Sequence, residues 1–228
     1  MLTLLIFGTS MSYAIAQSTR NVSVKSFKSV GVSSGIDLYL TQGNTEMVTI
    51  KGGNDLIKDV IVEQANGNIA IRYKEGVNWG RIFKNQSIKV YVTYKTLTGL
   101  TASGGSDVYT QNQLKSDVLN VRASGGSDLK LSLTVRDLTL TISGGSDADL
   151  KGSGENLQLT ASGGSDVNAF GYMVNNAKAT VSGGSDANIY VNKALEASAS
   201  GGSDINYKGN ASVRKTSSSK SGDVNRVN

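Results

Sequence analysis

The pentapeptide Ser-Gly-Gly-Ser-Asp occurs six times in this sequence without a substitution, at spacings of 18 to 21 residues. An internal repeat of this length is typical of a solenoid, in which each repeat forms one coil and the coils stack on one another. The repeat therefore constrains the architecture strongly, although it says little about biochemical activity. The copies end at Asp107, Asp128, Asp147, Asp166, Asp186 and Asp204.

Strand-like patterns flank each copy. Upstream of the Asp, apolar and polar residues alternate, as around Leu138 and Leu140, and the alternation resumes downstream, as at Leu129 and Leu131. Period-two alternation is typical of a strand with one buried face. Successive hairpins would place the pentapeptides at alternating ends, whereas a coil that winds one way stacks them in one column. We therefore predict an all-β parallel solenoid, a β-helix with coils of about 20 residues.

The pentapeptide suits a corner that stacks on its neighbours. Two glycines can adopt positive φ and allow close backbone approach, while Ser and Asp side chains can bond backbone groups of a turn. We expect the carboxylates to accept N–H and Ser hydroxyl bonds within their own corner, which would hold their pKa values below the ordinary Asp value. This structural corner column comprises Ser106, Asp107, Ser127, Asp128, Ser146, Asp147, Ser165, Asp166, Ser185, Asp186, Ser203 and Asp204.

Two other roles for the Asp column stay open. Cations could neutralise it, with Asp128, Asp147, Asp166 and Asp186 as candidate calcium ligands. Calcium takes about six to eight oxygen ligands, however, and one carboxylate per coil provides few of them. Glycosidases and lyases on β-helices also use clustered carboxylates, and Asp147 with Asp149 is the most exposed candidate pair. A catalytic site needs unlike groups to converge, and the sequence has no His and no Cys. We predict no catalytic residues, no enzyme activity and no cofactor.

The N-terminal part is less regular. Apolar residues from Val30 to Leu40 keep the same offsets from Asp37 as in the perfect repeats, which predicts a diverged first coil. Asn66-Gly67 between two apolar runs predicts a short hairpin. The strand at residues 88–92 is expected to lead into the first perfect repeat.

Two segments depart from the repeat. Residues 77–83 contain the only Trp of the chain, and they are either a flap over exposed core or a ligand loop that stacks on a sugar or partner through Trp79, Arg81 and Phe83. Ser219 to Asp223 keeps the spacing of the corner but lacks the Gly pair. It predicts a worn last coil that caps the solenoid.

Residues 1–16 resemble a secretory signal peptide, with a short apolar core at Leu2–Phe7 and a small-x-small cleavage pattern at Ala14–Ala16. No other apolar run approaches the length of a membrane-spanning helix. We therefore predict a secreted, periplasmic or cell-surface protein that does not span the membrane. The mature chain is predicted to be one β-helix domain, residues 17–228, with irregular coils at 17–98, regular repeats at 99–211 and a worn coil or cap at 212–228.

The repeated corners, the N-terminal signal and the tripeptide Gly35-Ile36-Asp37 resemble the bacterial "putative auto-transporter adhesin, head GIN domain" family. The family motif has Asn where this chain has Asp37. The resemblance covers roughly residues 27 to 210. It implies a right-handed β-helix similar to the pectin-lyase-like proteins, a location at the cell surface, and a role in adhesion without established catalysis.

The charge balance bears on partners. The chain has 23 basic and 18 acidic residues, a net charge of +5. The basic residues are dispersed and lack interleaved aromatic residues, so we do not predict nucleic-acid binding. If the six repeat aspartates share one edge, they remove a third of the acidic residues from the remaining surface, which is then strongly basic. This predicts adhesion to anionic glycans or cell-envelope polymers and leaves the oligomeric state open.

Overall fold

The structure is a computed structural model that describes residues 17–78, 80, 82, 88–216 and 221–228. The predicted signal peptide, and Trp79, Arg81 and Phe83 of the candidate ligand loop, lie outside the described residues. Within the described part of the chain, no helix is long and apolar enough to cross a membrane.

Nearly all regular structure in these residues is β-strand, with one short helix, α1 (Asn54–Ile57), after the fourth strand. In chain order the strands are β1 (Gln17–Val22), β2 (Ser29–Ser33), β3 (Asp37–Gln42), β4 (Met47–Gly53), β5 (Val60–Ala65), β6 (Asn68–Tyr73), β7 (Lys89–Tyr94), β8 (Gly99–Ser103), β9 (Val108–Thr110), β10 (Leu114–Ser124), β11 (Asp128–Ser143), β12 (Asp147–Ser153), β13 (Asn156–Ser162), β14 (Asp166–Ser182), β15 (Asp186–Ser200), β16 (Ser203–Lys208), β17 (Ser212–Lys215) and β18 (Gly222–Arg226).

The strands of successive repeats stack in parallel. After the corners, Asp128 lies opposite Asp147 and, further along, Asp166 opposite Asp186. Before the corners, the strands pair in the same way through β10, β11, β13, β14 and β15. The predicted all-β solenoid with one column of corners is confirmed. Its coils take about 19 residues each, and the solenoid has about seven turns.

The core fills the narrow space inside the coils. Burial alternates along β11 from Leu129 to Val135, shifts by one residue at Arg136 and Asp137, and alternates again from Leu138 to Ile142. Each fully buried Leu, Ile or Val contributes about 1.5–3 kcal/mol relative to exposure. The later coils use alanine at many inward positions, and Ala161, Ala179, Ala197 and Ala199 are at most 1% exposed. Small side chains allow the two walls of a coil to approach each other.

The first coil is spatially adjacent to the first perfect repeat. Val30 on β2 lies opposite Leu100 on β8, and Leu38 on β3 lies opposite Val108 on β9. The diverged coil is thus confirmed. The strand at residues 88–92 belongs to β7, which leads along the chain into β8 and the first perfect repeat, and it pairs with β3 on the other side of the first coil. The order of coils in space therefore differs from their order in the chain.

Residues 43–98 form an insertion that closes the N-terminal end of the solenoid. β6 and β7 add one further parallel layer, and then β5, β4 and β1 follow as antiparallel strands. The predicted hairpin is confirmed, because Asn66 and Gly67 join β5 to β6 with φ values of 51° and 75°, as a type I′ turn requires. At the other end, β17 and β18 form a partial last coil in which Asp223 lies opposite Asp204.

The two corner glycines meet different constraints. Gly144 has φ +66°, and a Cβ added to it would lie 3.3 Å from the backbone nitrogen of Gly125 in the preceding coil. Gly145 has φ +72°, but a Cβ there would meet no atom within 4 Å. Backbone conformation thus restricts both positions, and coil stacking restricts only the first.

We expect Gly144→Asn to destabilise the protein by about 1–3 kcal/mol more than Gly145→Asn. Asn tolerates the left-handed region better than other residues with a Cβ, so the difference isolates the contact with the preceding coil. Urea unfolding of the two variants measures it. Equal losses at both positions would show that stacking imposes no constraint beyond φ.

The sequence predicts that Gly222, in the worn last coil, tolerates substitution better than the central glycines. The geometry opposes this expectation. A Cβ at Gly222 would lie 2.6 Å from the carbonyl carbon of Ala199 and 2.7 Å from the nitrogen of Ser200, so the backbone itself would have to move. Gly222 lies opposite Ser203 and does not have a positive φ, so close packing alone restricts it.

Candidate binding surfaces

The second serine of every pentapeptide points into the core. All six are fully buried. The backbone N–H of Ser146 donates to Oγ of Ser165 at 3.3 Å, and that of Ser165 donates to Oγ of Ser185 at 2.9 Å. The same bond recurs along the column. This serine ladder satisfies N–H groups that would otherwise be buried without a partner.

The aspartates lie on the outside of the same corners. The Oδ1 atom of Asp147 accepts a hydrogen bond from the N–H of Asp166 at 3.2 Å, and Oδ1 of Asp186 accepts one from the N–H of Asp204 at 3.0 Å. The expected bonds within one corner, with Ser hydroxyls as donors, are therefore replaced by bonds between successive corners. The Ser hydroxyls cannot reach the carboxylates, because consecutive strand residues face opposite sides.

Electrostatics in the column also differ from expectation. The pKa of Asp128 is raised above its ordinary value, first by partial burial and then by the charges of Asp107 and Asp147. The nearby Lys130 and a backbone hydrogen bond act in the opposite direction without prevailing. The expected lowering of the pKa is therefore wrong at Asp128. The Asp carboxylates therefore accept hydrogen bonds from backbone N–H groups although neighbouring carboxylates repel one another.

We expect Asp128→Asn to stabilise the protein at pH 7. Because the folded pKa is raised, the stability linked to Asp128 is fully present below the unfolded pKa, near 3.9, and is lost as pH rises through the folded pKa. Asn keeps an acceptor oxygen and removes the charge. Thermal unfolding should show a Tm rise of about 1–3 °C at pH 7 that shrinks towards pH 3.

Asp117→Asn serves as the control, because it removes the same charge from the opposite edge of the solenoid. A gain of equal size in this variant would attribute the effect to net charge and not to the column.

The two other roles considered for the Asp column, cation binding and catalysis, each need further side chains beside the carboxylates. Among the residues that the structure describes, no group of three or more His, Cys, Asp or Glu is placed to hold a metal ion. The candidate pair Asp147 and Asp149 lines a shallow pocket of about 270 Å³ on the outer sheet face. Oδ1 of Asp149 accepts a hydrogen bond from Nδ2 of Asn168 at 2.8 Å, and Lys130 lies opposite it on the neighbouring strand.

Beside the column, three tyrosines stack on adjacent strands. Tyr39 on β3 lies opposite Tyr91 on β7 and Tyr109 on β9. The ring centroids are 4.9 Å apart for Tyr39 and Tyr91 and 5.1 Å apart for Tyr39 and Tyr109, with interplanar angles of 18° and 17°. We call these residues the tyrosine strip. The ammonium groups of Lys51 and Lys130 lie 4.8 Å and 5.9 Å from the two outer rings, Tyr91 and Tyr109.

The tyrosine strip is coupled to the Asp column. The hydroxyl of Tyr109 donates to Oδ2 of Asp107 at 3.3 Å. Partial burial, and then the charge of Asp107, raise the pKa of Tyr109 to about 12. The sequence analysis did not identify the strip. The equal offset of Tyr39 and Tyr109 from their aspartates could have shown one contact, but Tyr91 could not be placed without the register of the insertion.

A groove of about 820 Å³ runs along the opposite edge, where the return segments cross between strands. We call it the return-edge groove. Its floor includes Val118, which is 41% exposed, and the backbone around Val135. It crosses several successive coils, and its lining residues are Lys28, Thr96, Thr98, Lys115, Ser116, Asp117, Val118, Thr134, Val135, Arg136, Ser153, Gly154 and Glu155.

Three basic residues line the groove, Lys28, Lys115 and Arg136, against two acidic ones, Asp117 and Glu155, which leaves an excess of one positive charge. Nε of Arg136 pairs with Oδ2 of Asp137 at 2.9 Å. Glu155 lies 3.8 Å from the ammonium of Lys193 and accepts a hydrogen bond from an Asn side chain. Among the described residues, Lys28 and Lys115 form no ion pair. Both are exposed and available to an anionic ligand.

The tripeptide Gly35-Ile36-Asp37 is the first corner of the solenoid. Ser34 and Gly35 both have φ 72° and take the places of the two corner glycines. Ile36 is fully buried where later corners have Ser, and its N–H donates to Oγ of Ser106 at 3.1 Å. Asp37 stands at the start of the Asp column.

These features agree with a match to a protein-family model. The model described as "Putative auto-transporter adhesin, head GIN domain" matches residues 26–211. The chain belongs to this family. Comparison with curated proteins gave no match.

Solved structures share the fold of this head GIN domain protein. A putative adhesin from Bacteroides fragilis has 22% sequence identity and a TM-score of 0.85, over 94% of this chain and 98% of that chain. A putative lipid binding protein from Parabacteroides distasonis has 16% identity and a TM-score of 0.74, over 93% and 97%. A putative adhesin from Parabacteroides merdae has 21% identity and a TM-score of 0.68, over 93% and 96%. At these identities the likeness establishes the fold alone.

Proposed function

We propose that this protein is a secreted or surface-displayed adhesin-like protein that binds an acidic glycan or cell-envelope polymer in the return-edge groove. The observation that carries the proposal is the segregation of charge. The carboxylates of the repeats line one edge, whereas Lys28 and Lys115 stand without ion pairs in a groove on the other. Family membership supports an adhesin-like surface role, and the signal-like residues 1–16 support export.

The groove has the chemistry that such a polymer needs. Hydroxyl groups from Thr96, Thr98 and Ser116 line it and can exchange hydrogen bonds with sugar hydroxyls. Val118 offers an apolar contact for the less polar face of a sugar ring. The stacked coils fix the spacing of these groups, so a linear polymer could engage several of them without ordering a flexible loop.

Polygalacturonate, as a linear acidic glycan, is a direct probe, with dextran as the neutral control. We expect the protein to bind polygalacturonate and not dextran, and added salt to weaken binding because the contacts are screened. The double variant Lys28→Gln/Lys115→Gln should bind about tenfold more weakly or worse. Isothermal titration measures these affinities.

The matched control is Lys25→Gln/Lys58→Gln, which removes the same charge from exposed positions outside the groove. An equal loss in this variant would show attraction by net charge only. Binding to anionic phospholipid vesicles but not to the glycan would assign the groove to lipid, the ligand class named for the putative lipid binding protein from Parabacteroides distasonis. Either result would overturn the glycan proposal.

We also propose that the protein uses neither a cofactor nor a catalytic residue, and that the Asp column is held by its backbone bonds without cations. Addition of millimolar calcium, or of a chelator, should therefore leave the Tm unchanged. An ion bound only by the folded state would raise the Tm as its concentration increases. A calcium-dependent rise of several degrees that is lost in Asp147→Asn would establish the calcium alternative.

A further inference from the structure

We propose that the tyrosine strip is a site of oxidative cross-linking, in which a one-electron oxidant of the peroxidase class joins Tyr39 to Tyr109 or to Tyr91 as dityrosine. The inference is independent of ligand binding in the groove, since the strip lies beside the Asp column on the other edge of the solenoid. It concerns a covalent modification of the protein surface.

Proximity is the first requirement, and the strip meets it. Tyr39 is the central residue of the strip, and its ring centroid lies 4.9 Å and 5.1 Å from those of Tyr91 and Tyr109. Backbone pairing of β3 with β7 and β9 holds the three tyrosines next to one another. Two radicals held in this way react as an intramolecular pair, which gives a large advantage over random encounter.

Access is the second requirement. All three tyrosines of the strip are partly exposed on the outer sheet face, so an oxidant can approach the edges of their rings. Tyr94 and Tyr172 are fully buried, and within the described part of the chain the stacked aromatic pairs are those of the strip. The stacked rings must tilt to bring their ortho carbons together, and their outward orientation leaves that movement free of the core.

The reaction balances with peroxide as the final oxidant. Each tyrosine gives one electron to the peroxidase and loses its phenolic proton, and Oδ2 of Asp107, 3.3 Å from the Tyr109 hydroxyl, is placed to accept one of these protons. The two tyrosyl radicals form one carbon–carbon bond between ortho positions. The hydrogen on each coupled carbon then moves to its oxygen through water, which restores both rings. One hydrogen peroxide takes up the two electrons and two protons and yields two waters.

The bond would link parts of the chain that are distant in sequence. Coupling of Tyr39 to Tyr109 joins the first coil to the first perfect repeat, and coupling to Tyr91 joins it to the insertion. The sequence contains no Cys, so disulfides cannot make these links. A cross-link here would restrict separation of the N-terminal layers and raise the Tm, because it constrains the unfolded chain.

The test treats dilute protein with a haem peroxidase and hydrogen peroxide and records dityrosine fluorescence, the mass of the monomer and a tryptic map. The three tyrosines fall in different tryptic peptides, residues 29–51, 90–95 and 96–115, so each cross-link is identifiable. We expect a monomer that has lost two hydrogen atoms, with Tyr39 in the major product. Tyr39→Phe keeps the stack and should reduce monomer dityrosine about fivefold or more, whereas Tyr190→Phe, outside the strip, should not.

Tyr109→Phe provides a second variant in case Tyr39→Phe perturbs the fold. It should remove the Tyr39–Tyr109 product and leave the Tyr39–Tyr91 product. Cross-links found only between molecules, or only at tyrosines outside the strip, would overturn the proposal. So would unchanged monomer dityrosine in a folded Tyr39→Phe variant.

Discussion

The hydrogen-bonded stacking of the pentapeptide corners is the interaction on which the solenoid depends. A corner interrupts the strands, so its backbone groups need partners in the next coil or they are left unpaired, at a cost of about 1–3 kcal/mol each when buried. Here the Gly145 N–H donates to the Gly163 carbonyl at 3.1 Å, the serine ladder runs on the inner side, and the aspartate bonds run on the outer side. Three columns of bonds share one coil spacing, and together with the positive φ of the two glycines they explain why the Gly pair, the second Ser and the Asp repeat without change.

The same regularity determines the surface. Because the coils stack in register, residues of the same type lie next to each other in successive coils. Whether they attract or repel depends on their side chains. Stacked tyrosines gain ring contacts, and Asn206 donates to Asn188 through their side chains at 3.2 Å. Stacked aspartates repel one another, and after partial burial the charges of Asp107 and Asp147 contribute to the raised pKa of Asp128. The acidic edge is thus a consequence of using Asp Oδ1 as the outer acceptor, as at Asp107, Asp147, Asp166 and Asp186.

The features that could be predicted from the sequence are those that recur with the period. Alternation identified the buried strand faces, and the pentapeptide identified the column of corners, including the diverged corner at Asp37. The insertion carries no period, so the placement of β7 beside β3, and with it the position of Tyr91, could not be derived. The partner of each Asp carboxylate also escaped prediction, because it depends on the rise between coils and not on residue type. Gly222 shows the same limit, since its close contact with Ala199 has no local sequence signal.

A regular solenoid offers the same groups at every coil, and this restricts where a specific site can form. Side chains that do not recur with the period are most varied where the repeat is broken. Both candidate surfaces include residues from such places. The tyrosine strip takes Tyr91 and Lys51 from the insertion. The return-edge groove takes Lys28 from the segment before the first coil and Lys115 from the start of β10. The polar groups of the corners form hydrogen bonds with the backbone, so substitutions there are expected to affect stability more than ligand binding. Ligand specificity in this chain is therefore expected to reside in the insertion and the first return segments, with the perfect repeats as the rigid support that fixes their spacing.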